Sequence, residues 1–373
     1  MPKSLVDHFA DLPDPRVKRS RRHELRDILV LCVLAVLCGA DSIVDIEEFG
    51  KAKEEWLVKT LGLRHGIPSH DTIGRVLSAL SPIEFAERFA AWAGELSGVL
   101  DNEVIAIDGK TVRRSLDSEK GRGPIHLVSA WATRNRLALG QVKTDEKSNE
   151  ITAIPQLLEV LDLSGCIVTM DAMGCQRAIA KQIVEGGADY MLMLKANHPN
   201  LHDEVVQFFH DGIATDFEDF EFDHIENTEQ GHGRTETRKV WTSSDIEWLP
   251  GREAWKDLNS IVCVEATRAV GQKSPTIHRR YYLSSIKKPT AAHAANIVRA
   301  HWGVENGLHW VLDIAFREDE SRVRSKHAAE NFGLIRKFAL NMLKRERSAK
   351  IGIKGKRLKA GWDNAYLKTV LAV

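Results

Sequence analysis

The spacing of apolar residues changes twice along the 373-residue chain. Up to about residue 100 it is helical. "SLVDHFADLPD" stops at Pro13 and Pro15, and "HELRDILVLCVLAVLCGADSIVDIEEFGKAKEEWLVKTLGL" carries apolar positions at helix period with a break near Gly39. "SHDTIGRVLSAL" opens on the Ser or Asp expected at a helix N-cap, and "SPIEFAERFAAWAGELSGVL" has Ser81 as cap and Pro82 at the first helical position. From residue 101 the period shortens. "EVIAIDG", "IHLVSAWAT" and "LALGQVKTD" read as three strands of an antiparallel meander, separated by Asp-Gly, Gly-Pro and Asn135. "NEITAIPQLLEVLD" then predicts a helix, "GCIVTMDAMG" a buried strand, "CQRAIAKQIVEGG" a helix and "DYMLMLKAN" another buried strand. That order predicts a mixed α/β sheet with right-handed crossovers. Residues 201–290 look like antiparallel strands with Gly-rich turns, and helical period returns from Thr290. The expected layout is an all-helical domain over 1–100, a first α/β part over 101–200, a β-rich insertion over 201–290, a second α/β part over 291–345 and a basic tail over 346–373.

Composition narrows the function classes. A hydrophobic content of 43% with 28% charged residues is that of an ordinary globular protein. Fifty-two basic and fifty-two acidic residues cancel, so a nucleic-acid partner has to be met by local patches. "RVKRSRR" is one such patch. From Arg322 to Lys359 thirteen Lys or Arg stand against two Glu, a local net of +11 that a solvated helix face accounts for only in part. Five cysteines without a CxxC pair argue against a zinc ribbon or a disulfide scaffold, and point to a reducing, cytoplasmic home. The longest apolar run, "ILVLCVLAVLCGA", is 13 residues and too short for a bilayer; it is expected as a buried helix in a protein without a membrane partner. The two helices joined by "LSP" could form a helix-turn-helix with His70 and Arg75 facing DNA, or an ordinary helix pair.

Two carboxylates stand out. "VIAI" ends on Asp108 and "IVTM" ends on Asp171, each followed by small residues. Carboxyl ends of strands in α/β sheets are where ligands bind. Asp-Gly could instead be a hairpin turn, and Asp171 could cap the helix that follows. A hard divalent ion needs more oxygens than two side chains supply, and "HWGVENGLHW" offers Glu305, with His301 and His309 one helical turn to either side. Those three could hold zinc, though zinc hydrolases of the HExxH kind space their histidines four apart and here they are eight apart. Three carboxylates around two Mg²⁺ is the arrangement that phosphodiester chemistry uses, because Mg²⁺ prefers oxygen.

Strand-Asp108-Gly-Lys, strand-Asp171-Ala-Met-Gly, a long insertion and "RAHWGVENGLHWVLDIAFRED" together resemble the DDE transposases of bacterial insertion sequences, in the group that includes the H-repeat-associated proteins. "FADLPDPRVKRSRRHELRDILVLCVLAVLCGAD" is similar to that group's helical N-terminal associated domain. The resemblance covers nearly the whole chain. It implies an RNase H-like catalytic core and a metal-binding, catalytic triad of Asp108, Asp171 and Glu305. It also implies two Mg²⁺ ions replaceable by Mn²⁺, double-stranded DNA as transposon end and target, and a homodimer on DNA. The implied activity is cleavage at element ends followed by strand transfer. An inactive or domesticated DNA-binding relic, and an RNase H-like nuclease without strand transfer, remain alternatives. Candidate DNA contacts are Lys110, Arg113 and Arg114 after the first strand, Lys195 and Asn197 after the last core strand, and Arg299, His301, Arg317, Arg322 and Arg324. Related transposases carry Tyr, Arg and Lys where this sequence has Val298, His301 and Leu312, and Arg299 and Arg317 are the basic groups offered in their place. Trp302 and Trp310 are expected in the core.

Overall fold

The protein is described by a computed structural model over residues 5–98, 100–116, 123–144, 150–215, 217–218, 220–231, 233–270 and 274–372. Helices α1 (Leu5–Ala10), α2 (Leu25–Leu37), α3 (Ile43–Ala52), α4 (Glu54–Leu61), α5 (His70–Ala79) and α6 (Pro82–Ser97) come first. Strands β1 (Val104–Thr111), β2 (His126–Ala132) and β3 (Leu137–Lys143) follow. Then come α7 (Glu150–Glu159), β4 (Ile167–Met170), α8 (Arg177–Glu185), β5 (Asp189–Leu194) and α9 (Pro199–Ala214). The chain continues through β6 (Asp223–Gly231), β7 (Arg234–Ser243), β8 (Ser260–Val270), β9 (Thr276–Ser284) and α10 (Ala291–His301). It ends with α11 (Trp310–Phe316), α12 (Ala328–Arg345), α13 (Ile353–Trp362) and α14 (Asn364–Leu371). The ends expected for two elements, Asp145 and Asn149, lie outside the described residues.

The result is an α/β fold with one nine-stranded mixed sheet in the order β3-β2-β1-β4-β5-β9-β8-β7-β6. By compactness the chain divides into two units, one of Met1–Val99, Gly109–Leu161 and Glu305–Val373, the other of Leu100–Asp108 and Asp162–Val304.

In the first unit the local signals act as read. Ser69 and Ser81 accept hydrogen bonds from Thr72 N and Glu84 N at the starts of α5 and α6. The apolar run forms α2, buried on nearly every side, and packs on α12. Phe338 of α12 meets the rings of Phe9, Phe89 and Trp92 with centroids 5.3, 4.8 and 4.8 Å away, which fixes α1 and α6 to the same helix. The bulged edge strand β3 is also held by α12. Asn341 accepts from Ala138 N at 2.9 Å and donates to Ala138 O at 2.8 Å, satisfying backbone groups that an open edge would leave unpaired.

In the second unit β1, β4 and β5 are parallel, in register Ile107↔Met170↔Leu192. Strand β9 pairs antiparallel with β5, and β8, β7 and β6 continue antiparallel from it. The strands expected as an insertion therefore extend the core sheet. Residues 199–214, between the parallel strands and these, form a helix that opens on Pro199. Helix α10 packs on β4, β6 and β7.

Candidate active site

Asp108 and Asp171 are the next residues after the register partners Ile107 and Met170, so they stand side by side where the β1–β4 pairing ends, Asp171 just past β4 and Asp108 within β1. The Asp-Gly pair is not a hairpin turn, because β1 runs through it to Thr111. Gly109 makes room for the His126 and Glu150 side chains, which share a hydrogen bond of 2.7 Å and which a Cβ there would displace. Asp171 does not cap α8, whose N-cap is Gln176. Its Oδ1 accepts from Met173 N at 2.9 Å, a local turn that fixes the carboxylate's orientation.

Two further side chains support this strand end. Asn197, exposed at its surface, donates to Ala172 O at 2.9 Å and to Cys175 O at 3.4 Å, and so braces the loop after Asp171. His301, at the end of α10, shares a hydrogen bond of 2.9 Å with Thr169 Oγ1, two residues before Asp171. Burial pushes the His301 imidazole below its ordinary range, while the Asp108 and Asp171 carboxylates pull it back up. One buried ring thus senses both carboxylates. Burial, with Asp171 adding its charge, also pushes the Cys175 thiol up to about 12. Lys195 stands exposed past the end of β5.

In the other unit Glu305 opens a π-helical turn, Glu305–His309, that leads into α11. Such turns concentrate at functional sites. The turn is set against β2 through Gly307, where a Cβ would come within 2.7 Å of Trp131 Cζ2. Leu308 and His309 face inward and Glu305 is exposed. Because α10 ends at His301 and the π turn follows, the α-helical stripe that a His301, Glu305 and His309 zinc site needs is lost. Val298 and Leu312 are buried, whereas Trp302 and Trp310 are 48% and 57% exposed, contrary to the expectation of core packing. The Arg280 guanidinium lies 5.3 Å from the Trp302 ring centre.

Several expected DNA contacts have other employment. Lys110 is nearly buried and its ammonium is bound to Asp313, to Glu318 Oε2 at 3.1 Å and, more distantly, to Asp319 at 3.7 Å. Burial, the largest influence on Glu318, opposes its ionisation, yet Lys337, Lys110 and Arg336 hold its carboxyl down at about 2. This network was not foreseen; its signal was the acidic run Glu318-Asp319-Glu320 downstream of Asp313. Arg299 pairs with Glu229, Arg317 with Glu320, and Arg113 with Asp319 at 3.4 Å, all with the arginine largely exposed. Arg114, Arg322 and Arg324 are exposed. The +11 stretch is not one basic surface, because Arg336, Lys337, Lys356 and Arg357 are buried. Arg357 donates to Val36 O at 2.9 Å, Ala40 O at 3.1 Å, Ala315 O and Asp41 Oδ1.

A fold of this kind with paired aspartates at its parallel strand ends matches a family profile described as "Transposase DDE domain" over residues 100–342, preceded by a "DDE_Tnp_1-associated" match over 6–93. The chain belongs to the DDE transposase family. Among its relatives, "Putative transposase YncI" of Escherichia coli O157:H7 is 42% identical over 374 residues, covering 99% of this chain and 95% of that protein. The "H repeat-associated putative transposase YhhI" of Escherichia coli K12 is 41% identical, covering 99% and 98%. A solved chain of the piggyBac transposase synaptic complex with hairpin DNA overlaps it at a TM-score of 0.43 and 9% identity, over 99% of this chain and 76% of that one. The family and these relatives support a transposase role. Among the described residues no helix is long and apolar enough to cross a membrane.

Proposed function

We propose that the protein cuts phosphodiester bonds at the ends of its own insertion sequence and joins the freed 3′ ends to target DNA, with Asp108, Asp171 and Glu305 as the metal-holding triad. The observation that carries this reading is the register of β1 and β4, which sets two aspartates together at one sheet end in a family defined by such acids. The order β3-β2-β1-β4-β5, antiparallel between β3 and β2 and parallel from β1 to β5, supports an RNase H-like core.

The donors fit a divalent ion. Asp108 and Asp171 beside the end of the β1–β4 pairing, and Glu305 and His309 on the π turn, carry the donor atoms that would hold one. Oxygen donors suit Mg²⁺, with Mn²⁺ as a substitute. Held by these residues, such ions would supply Lewis-acid activation of the attacking water or 3′-hydroxyl and charge stabilisation at the leaving oxygen. The chain's own residues prepare the ground. The Met173 amide orients Asp171, Asn197 braces the loop after it, and burial of His301 disfavours a positive charge on its ring beside the carboxylates. Lys195, Arg113 and Arg114 supply cations for neighbouring phosphates, with Lys110 holding its strand in place rather than touching DNA. Joining two ends calls for two copies of the chain on DNA.

The test is cleavage of labelled DNA carrying the ends that flank this gene, with Mg²⁺ or Mn²⁺. Asp108→Asn, Asp171→Asn and Glu305→Gln are each expected to lose on the order of 10³-fold in rate while still binding DNA. Transfer of a 3′ end to a second duplex separates a transposase from a nuclease. Specific binding without cleavage by the unaltered protein would favour the relic, and cleavage that survives loss of any one carboxylate would refute the triad.

A further inference from the structure

A groove of about 980 Å³ opens in the first unit between α3, α5 and the segment after α11. It is at the upper end of small-ligand pockets. Two of its carboxylates, Asp41 and Glu320, are paired with arginines. Asp41 accepts from the buried Arg357 at 3.0 Å, Asp45 Oδ2 accepts from the backbone N–H groups of Asp41 and Ser42 at 3.1 and 2.8 Å, and Glu320 holds Arg317. Asp71 sits 3.6 Å from His70, whose other ring nitrogen faces Glu47 at 2.5 Å. The cations are not so engaged. Among the described residues Arg75, Arg322, Arg324 and Lys326 have no carboxylate partner: Arg75 touches only Asp71 O and Thr72 of its own helix, and Arg324 only Leu116 O at 3.4 Å. Four cations from two separated stretches of chain therefore face one groove against the carboxylates of Asp45 and Asp71, which no Lys or Arg among the described residues pairs, a local excess of two positive charges. In a protein whose total charge is zero, such a local excess is what a polyanion meets.

We infer that this groove seats the sugar–phosphate backbone of duplex DNA, with Arg75, Arg322, Arg324 and Lys326 each contacting a phosphate. The inference rests on the transposase reading and adds to it a binding surface shared by the DDE_Tnp_1-associated segment, which supplies Arg75, and the DDE domain, which supplies the other three. The exposed Val44 on the groove wall offers an apolar surface to the sugars. Contacts of this kind position DNA without reading its sequence.

The experiment measures fluorescence anisotropy of the full-length protein on labelled duplexes, one carrying the element end and one of random sequence, across a salt series without divalent metal. The groove variant is Arg75→Gln/Arg322→Gln/Arg324→Gln/Lys326→Gln. The control, Lys181→Gln/Lys239→Gln/Lys256→Gln/Lys288→Gln, removes the same charge from exposed positions elsewhere. Each lost phosphate contact lowers the slope of log K against log salt by about 0.9, so the groove variant is expected to lose about 3 to 4 from the slope, equally on both duplexes. The control is expected to keep the wild-type slope. An unchanged slope in the groove variant, or an equal fall in both variants, overturns the groove and leaves the transposase reading standing. Absence of DNA binding by the wild-type protein overturns both. Circular dichroism of both variants confirms that they are folded before the slopes are compared.

Discussion

Replacing Lys110 with Met tests the network that ties β1 to the helices after Glu305. Lys110 is 12% exposed and Glu318 is 1% exposed, so this is an interior ion pair and solvent screens it weakly. Removing one partner of a buried pair costs about 3–5 kcal/mol. Arg336 remains 3.8 Å from Glu318 and Lys337 still acts on it, which places Lys110→Met at the low end, about 3 kcal/mol. For a chain of this length that is a fall of about 4 °C in Tm. The assay is thermal unfolding followed by circular dichroism, repeated between pH 7 and pH 2. The sign with pH is fixed by Glu318. Its folded carboxyl titrates at about 2, below its unfolded value, so its stabilising contribution is whole above the unfolded pKa and disappears as pH falls through about 2. Without Lys110 the folded value rises, and the gap between variant and wild type must shrink on acidification. A Lys110→Met protein that melts within 1 °C of wild type near pH 7, or a gap that widens toward pH 2, would refute the network's role in stability.

Two other substitutions probe separate parts of the molecule. Arg357→Lys keeps the charge but cannot serve Val36 O, Ala40 O, Ala315 O and Asp41 together, so a loss of about 3 kcal/mol in urea unfolding is expected, against little change for Lys359→Arg on the same helix. Asn197→Ala removes two hydrogen bonds from the loop after Asp171; the expected outcome is cleavage slowed about tenfold with DNA affinity unchanged, and an equal loss of both would mean Asn197 touches DNA after all.

The elements that could be read from the sequence are those whose signals are local. The Ser69 and Ser81 caps, the apolar run of α2 and the strand that ends just before Asp171 are each specified within a few residues and found where expected, whereas β1 begins as expected but runs past Asp108 to Thr111. What escaped depends on distant partners. Nothing near Lys110 announces that acids some 200 residues later will enclose it, and nothing in "NMLKRER" or "KGKRLK" distinguishes the buried Arg357 from exposed neighbours. Likewise, the turn after Ile107 was a fair reading of Asp-Gly by propensity. Strand β1 nevertheless continues through Asp108 and Gly109 to Thr111, and Gly109 lies against the His126 and Glu150 side chains. The π turn before Trp310 rephases the helix against the period that the sequence suggests, and Trp310 is exposed after it.

The antiparallel pairing of β9 with β5 also bears on how such a gene can be cut and reassembled. A segment that looks like an insertion invites removal, with the two catalytic halves joined by a short linker. Here that excision would strip four strands from one sheet and leave Met191 to Leu194 as a bare edge of unpaired backbone lined with apolar side chains. An edge of that kind is a template for self-association. The trimmed protein would then precipitate instead of acting as a minimal enzyme, and any lineage of this element that loses the segment must find another cover for β5.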